Sequence, residues 1–105
     1  MPQFQRSEVW TVDLGIAGKV RPGLILSPMP RADELALVTL IPHTTALRGL
    51  PWEVKTAKPF LSRDGAFHIQ QIVSVSTARL VRRLGELTPA EYGIVLACLA
   101  GWVGL

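Results

Sequence analysis

The sequence predicts a small, mainly β fold completed by one C-terminal α-helix. Three observations carry this. Short apolar runs recur between turn signals from Glu8 to Val75. Some of those runs alternate in polarity as half-buried strands do, and others are continuously aliphatic as strands buried on both faces are. The one strong helix-start signal, Thr88-Pro89-Ala90-Glu91, comes late. That order gives a small, mostly antiparallel barrel or sandwich rather than alternating β and α units. With 105 residues the chain is expected to form one domain around one modest core.

Each element follows from local chemistry. Glu8 to Leu14 alternates, with Val9, Thr11 and Asp13 on one face and Trp10, Val12 and Leu14 on the other. Gly15 to Val20 is a flexible connection. Pro22 holds Arg21 extended and donates no hydrogen bond, which suits the opening of the second strand, Leu24-Ile25-Leu26, rather than its middle. Ser27-Pro28-Met29-Pro30 ends it, and Arg31 to Glu34 is a polar loop. Leu35 to Ile41 is a third, strongly apolar strand that Pro42 stops, leaving His43 to Gly49 as a loop or a single helical turn. Trp52 to Lys55 alternates as a fourth strand, and Lys58 to Gly65 is a connection with a turn at Asp64-Gly65. Phe67 to Val75 is expected as one fifth strand with Gln70 and Gln71 on opposite faces of the pleat. For Arg79 to Leu87 a turn running into an edge strand competes with a short helix, and Arg82 and Arg83 are most simply a solvated face. Thr88 then caps a helix, with Pro89 at its first position and Glu91 completing a capping box. Ile94, Val95, Cys98, Leu99 and Trp102 form its apolar stripe, and Tyr92, Leu96, Ala100 and Val103 extend that stripe round the cylinder. This predicts a buried helix with more to cover than one sheet supplies, so a homodimer is expected.

Composition narrows the function classes. Hydrophobic residues make up 49% and the mean hydropathy is +0.32, apolar for a chain of this size and consistent with burial against another subunit. The formal charge of +3 favours anionic partners. Cys98 is the only cysteine, which excludes an internal disulfide and reads as a small core hydrophobe. Met1 to Arg6 has no export signal, and the apolar run from Tyr92 to Leu105 is shorter than the ~20 residues that cross a bilayer. The expectation is therefore a cytoplasmic protein with no membrane contact.

No Gly-rich phosphate loop, nucleophile elbow or carboxylate pair at a recognisable spacing appears. His43 and His68 have no acidic or thiol residue beside them at ligand spacing, so no metal and no cofactor is expected. What remains is acid-base and electrostatic chemistry from Arg21, His43, Thr44, Thr45, Arg48, Gln70 and Gln71. That suits a phosphodiester whose own hydroxyl attacks, as the 2′-hydroxyl of RNA does. Arg21 supplies fixed charge, Thr44 a hydrogen bond and His43 a proton relay near neutral pH. Each has a plainer reading: a solvated or carboxylate-paired arginine, a strand-end histidine, and threonines that cap loop backbone.

Three blocks, Arg6 to Leu14, Val20 to Ser27 and Ile41 to Gly49, resemble in order the signature blocks of MazF/PemK-type toxins. Gln70 to Val75 is similar to that family's final core strand, and Thr88 to Leu105 to its C-terminal helix. The resemblance implies an SH3-like barrel of the CcdB/PemK type and a homodimer through the C-terminal helix and a barrel face. It implies a metal-independent endoribonuclease that cuts single-stranded mRNA at short sequences, leaves a 2′,3′-cyclic phosphate and a 5′-hydroxyl, and is neutralised by a cognate antitoxin. The family's catalytic arginine falls on Arg21 and its catalytic threonine on Thr44, with Thr45 where the family often has serine. Lys19, Thr45, Arg48, Gln70 and Gln71 are the RNA-binding candidates. The chain departs from the family pattern in a short Gly15 to Val20 connection, in Ser7 where glycine is usual, in Val73 where many members carry arginine, and in His43 where an apolar residue is commoner. Two competing readings are a CcdB-like toxin that binds gyrase without catalysis and an SH3-like interaction module. The pairing of Arg21 with Thr44 favours the nuclease.

Overall fold

The computed structural model describes residues 2–15 and 19–105. Among these residues seven strands are joined in one sheet and followed by one α-helix: β1 Glu8–Asp13, β2 Val20–Ile25, β3 Leu37–Thr44, β4 Glu53–Val54, β5 Ala66–His68, β6 Val73–Ser76, β7 Leu80–Glu86 and α1 Pro89–Val103. The strand order is β4-β5-β3-β2-β1-β7, with β6 also paired to β3, and every pairing is antiparallel. Among the described residues the outer strands β4 and β7 do not pair with each other, so hydrogen bonds do not close the expected barrel. Of the Gly15 to Val20 connection, residues 16–18 lie outside the described residues.

The central strands are apolar on both faces because each face has its own core. Val9, Leu24 and Ile41 join Leu61, Phe67, Ile69, Leu87 and Val95 on the side that carries α1. Trp10, Val12, Ile25, Leu40 and Val38 join Phe4 and Leu80 on the other. Alternation along each strand sends neighbours into opposite cores. Gly23 permits the second core to close, since a Cβ there would stand 3.0 Å from both Leu40 and Val12 side-chain atoms.

Both strand prolines correct the sequence expectation. Pro22 lies inside β2 and Pro42 inside β3, so His43 and Thr44 end a strand instead of starting a loop. The Leu26 amide donates to the Thr39 carbonyl, which sets the alternation of the β2–β3 ladder. On that alternation Pro42 turns its nitrogen away from β2, into the gap between Leu40, the last β3 residue paired with β6, and His43, the first paired with β5. Pro22 faces β3 one residue past the last formal pair, Gly23↔Pro42. Neither proline removes a bond the ladder needs.

The expected fifth strand is two strands. From His43 to Leu40 β3 advances three residues while its partner advances six, from Phe67 to Val73. A 3-10 turn, Ile69–Gln71, takes up the excess, and Gln70 and Gln71 stand exposed on it rather than on a pleat. Ser7 adopts φ 75, a left-handed backbone at the position where the resembling family carries glycine. Arg79 to Leu87 resolves in favour of the edge strand, after a 3-10 turn at Thr77–Arg79. The helix begins as expected, its capping box complete: Thr88 Oγ1 accepts from the Glu91 amide, and Glu91 Oε1 accepts from the Thr88 amide. It is not buried. Only Val95 is fully covered, and Ile94 is 62% and Val103 52% exposed. Among the described residues no helix is long and apolar enough to cross a membrane.

Candidate active site

Continuing the β2–β3 register two residues past Gly23↔Pro42 sets Arg21 opposite Thr44. Alternation then puts both side chains on one face. Arg21 Nη1 donates to Thr44 Oγ1 at 3.0 Å, and the Ala46 amide donates to the same oxygen at 3.1 Å. Thr44 is buried and Arg21 is half-buried. A hydroxyl has two lone pairs and one proton. With both lone pairs occupied, the Thr44 proton is left to be donated to whatever enters the cavity.

That cavity holds ≈ 310 Å³ and is lined by Lys19, Arg21, Pro22, His43, Thr44, Thr45, Ala46 and Ser62. Five of the residues singled out in the sequence thus meet: Lys19, Arg21, His43, Thr44 and Thr45. Its lining has two cations and no carboxylate, an electrostatic balance that suits an anion. Arg48, Gln70 and Gln71 do not line it. The loop of Arg48 is held by Glu53, whose carboxylate accepts the amides of Arg48 at 2.8 Å, Gly49 at 3.0 Å and Leu50 at 3.2 Å. These amides, that of Arg48 foremost, hold the Glu53 carboxyl below the usual range. Sequence reasoning missed Ser62. It lay in a segment that reads only as a connection, and nothing in the sequence marks a serine that reaches the cavity by tertiary packing.

His43 sits one residue along β3, so its ring turns to the face opposite Thr44. It packs edge-on against Phe67, with ring centroids 5.0 Å apart at 78°. On its other side, a Cβ on Gly65 would come within 2.3 Å of His43 Cε1, so the Ser62–Gly65 turn lies flush on the imidazole. The Nε2 atom is sealed from solvent with no hydrogen-bond partner among the described residues. Burial lowers the His43 pKa from its ordinary value, so the ring is neutral at pH 7.

Unfolded His43 takes up a proton near the ordinary pKa of about 6.5 while the folded ring resists it, so stability is present above that pH and lost as pH falls below it. Wild-type thermal midpoints should therefore fall from about pH 6.5 downward, and His43→Leu should flatten that slope. A further fall below about pH 4.5 belongs to Glu8, Glu53 and Glu91, whose pKa values are also depressed in the fold. Unfolding monitored by circular dichroism across this range checks both windows, and an unchanged slope in His43→Leu would remove the assignment.

Among the described residues no group of three or more His, Cys, Asp or Glu side chains is placed to hold a metal ion.

Residues 5–103 match the family described as PemK-like, MazF-like toxin of type II toxin-antitoxin system. A Mycobacterium tuberculosis protein described as probable endoribonuclease MazF5 is 36% identical over 96 residues, covering 90% of this chain and 87% of that one. A mycobacterial endoribonuclease solved in complex with its cognate antitoxin aligns over 100% of this chain and 97% of its own, with TM-score 0.75 and 29% identity. MazF from Deinococcus radiodurans, 20% identical, superposes with TM-score 0.82 over 100% of both chains, a likeness of fold. With nearly the whole chain matched, and the mainly β fold with its C-terminal helix shared, this protein belongs to the PemK-like, MazF-like toxin family of type II toxin-antitoxin systems.

Proposed function

We propose that the chain is an endoribonuclease toxin that cuts single-stranded RNA, mRNA included, by attack of the substrate's own 2′-hydroxyl. The observation that carries it is the Arg21–Thr44 pair in an acid-free cavity. The names of the mycobacterial relatives support the activity. In the proposed step the 2′-oxygen bonds to phosphorus as the bond from phosphorus to the 5′-oxygen breaks, leaving a 2′,3′-cyclic phosphate and a 5′-hydroxyl. Arg21 supplies fixed positive charge and is not assigned as the base. It neutralises the phosphorane and hydrogen-bonds the leaving oxygen, which takes its proton from solvent. Thr44 donates its free proton to a non-bridging oxygen, and the 2′-hydroxyl proton leaves to water. His43 we assign to positioning, because its sealed nitrogen faces the core while its ring supports the Ser62 turn. Lys19 and Thr45 contact the flanking strand at the cavity. Arg48, Gln70 and Gln71 reach RNA only beyond it.

The protein is proposed to act as one domain in the cytoplasm, as a homodimer that covers the exposed apolar side of α1, and to be neutralised by a cognate antitoxin. Structures of neighbouring toxins with their antitoxins support that partner. Neither gyrase binding nor a bare interaction module calls for a hydroxyl with both lone pairs occupied beside a fixed cation.

Incubating the purified protein with defined single-stranded RNA and mapping fragment ends tests the function. Cleavage should leave 5′-hydroxyl ends, spare DNA of the same sequence, and fall about 10²-fold in Thr44→Val, which keeps the shape and loses the donor. Thr44→Ser should retain most activity. Intact RNA under all conditions, or equal activity in Thr44→Val, would reject the reading.

A further inference from the structure

Beside the reaction cavity runs a second, larger groove of ≈ 640 Å³, and Ser62 lines both. Its wall is the segment between β4 and β5, from Lys55 to Gly65. Three cations line it, Lys55, Lys58 and Arg63, and no acid does. Lys58 is engaged within the fold, its Nζ 2.7 Å from Glu91 Oε1, where it ties the groove to the start of α1. Lys55 and Arg63 are exposed, and neither joins an ion pair among the described residues. Two cations without an ion-pair partner among the described residues thus line a groove that shares Ser62 with a cavity suited to one phosphate.

We propose that this groove is a second phosphate-binding subsite, in which Lys55 and Arg63 hold the single-stranded RNA next to the bond being cut. The proposal rests on the RNA-cleaving reading of the neighbouring cavity and adds the path the polymer takes from it. A polynucleotide gripped at one phosphate presents further phosphates at once, and the adjoining surface must meet them. An acidic polypeptide would be under no such constraint, so the adjacency marked by the shared Ser62 favours the nucleic acid. Besides these cations the lining is largely apolar, with Ala57, Pro59 and Leu61, and its neutral hydrogen-bonding side chains are Thr56 and Ser62. Its two exposed cations serve the phosphate backbone, a contact that positions the strand without reading its sequence.

The probe is a uniformly 2′-O-methylated RNA of about 12 nucleotides, which lacks the attacking hydroxyl and whose binding is read apart from cleavage. Lys55→Gln with Arg63→Gln should weaken it about tenfold near 0.1 M salt and lower the slope of log affinity against log salt by about 1.4, or ~0.7 per lost contact to a single strand. The charge-keeping pair, Lys55→Arg with Arg63→Lys, should hold the wild-type slope and controls for folding. On cleavable RNA the neutral pair should raise KM and spare kcat. A slope unmoved by the neutral pair overturns the groove, as does a loss seen only with polyglutamate, which would mark a site for an acidic polypeptide. Absence of cleavage by the wild type would instead remove the nuclease while leaving the slope measurable, so the two failures are distinguishable.

Discussion

Arg21→Ala should lower RNA cleavage about 10³-fold while the protein still folds, melts cooperatively and keeps its oligomeric state. The loss is large because the guanidinium is the fixed charge aimed at the cavity, and preorganised donors count most where charge develops during reaction. The fold should tolerate the change because Arg21 lies past the last formal β2–β3 pair, half-buried, outside both cores. Its removal leaves Thr44 Oγ1 with the Ala46 amide as donor. Arg21→Lys should fall between wild type and alanine, since an ammonium keeps the charge but not the planar fork. Single-turnover cleavage beside thermal melts decides the matter. Activity within a few-fold of wild type in Arg21→Ala would mean that the chemistry lies elsewhere, and an unfolded variant would mean that the residue is structural.

The largest loss of stability is expected from Phe67→Ala, about 3–5 kcal/mol. Phe67 is fully buried at the seam of three strands, opposite His43 on β3 and Val54 on β4. Its ring fills the core beneath α1 and supports His43 edge-on. Truncation removes apolar contact and leaves a void that a sheet pinned on both sides cannot close. A total stability of about 5–15 kcal/mol makes this a large fraction, worth tens of degrees in melting temperature at fixed protein concentration. Phe67→Leu should cost under about 1.5 kcal/mol, since most of the volume remains. Urea melts with an unchanged slope and a shifted midpoint would report stability alone. A loss below ~1 kcal/mol would show that this seam is not where the core is held.

The difference between the two residues explains how much of the molecule was legible beforehand. Signals carried by adjacent residues read correctly. Thr88, Pro89 and Glu91 begin the helix as expected, because a capping box is closed by atoms three residues apart. Leu24 and Ile25 are buried on opposite faces, as an unbroken aliphatic run requires. The misreadings were of propriety between segments. Pro42 would stop an isolated strand, yet here its nitrogen falls in the gap between two partner strands. Phe67 to Val75 has the composition of one strand, and the three-residue jump in register along β3 breaks it in two. The helix is apolar almost all round, which signals burial without saying against what, and in this chain much of that surface faces outward.

The site divides the same way. Fold class, helix start and the residue types able to bind a phosphate are local properties, written in spacing, side-chain chemistry and β-branching, and the sequence alone determined them. That Arg21 meets Thr44, that His43 turns into the core, and that Ser62 lines two cavities were decided by tertiary structure. Each depends on strand register, and register is set by which faces the two cores bury and by where the connections let the ladders begin. A shift of one residue between β2 and β3 would keep every strand and separate the guanidinium from the hydroxyl.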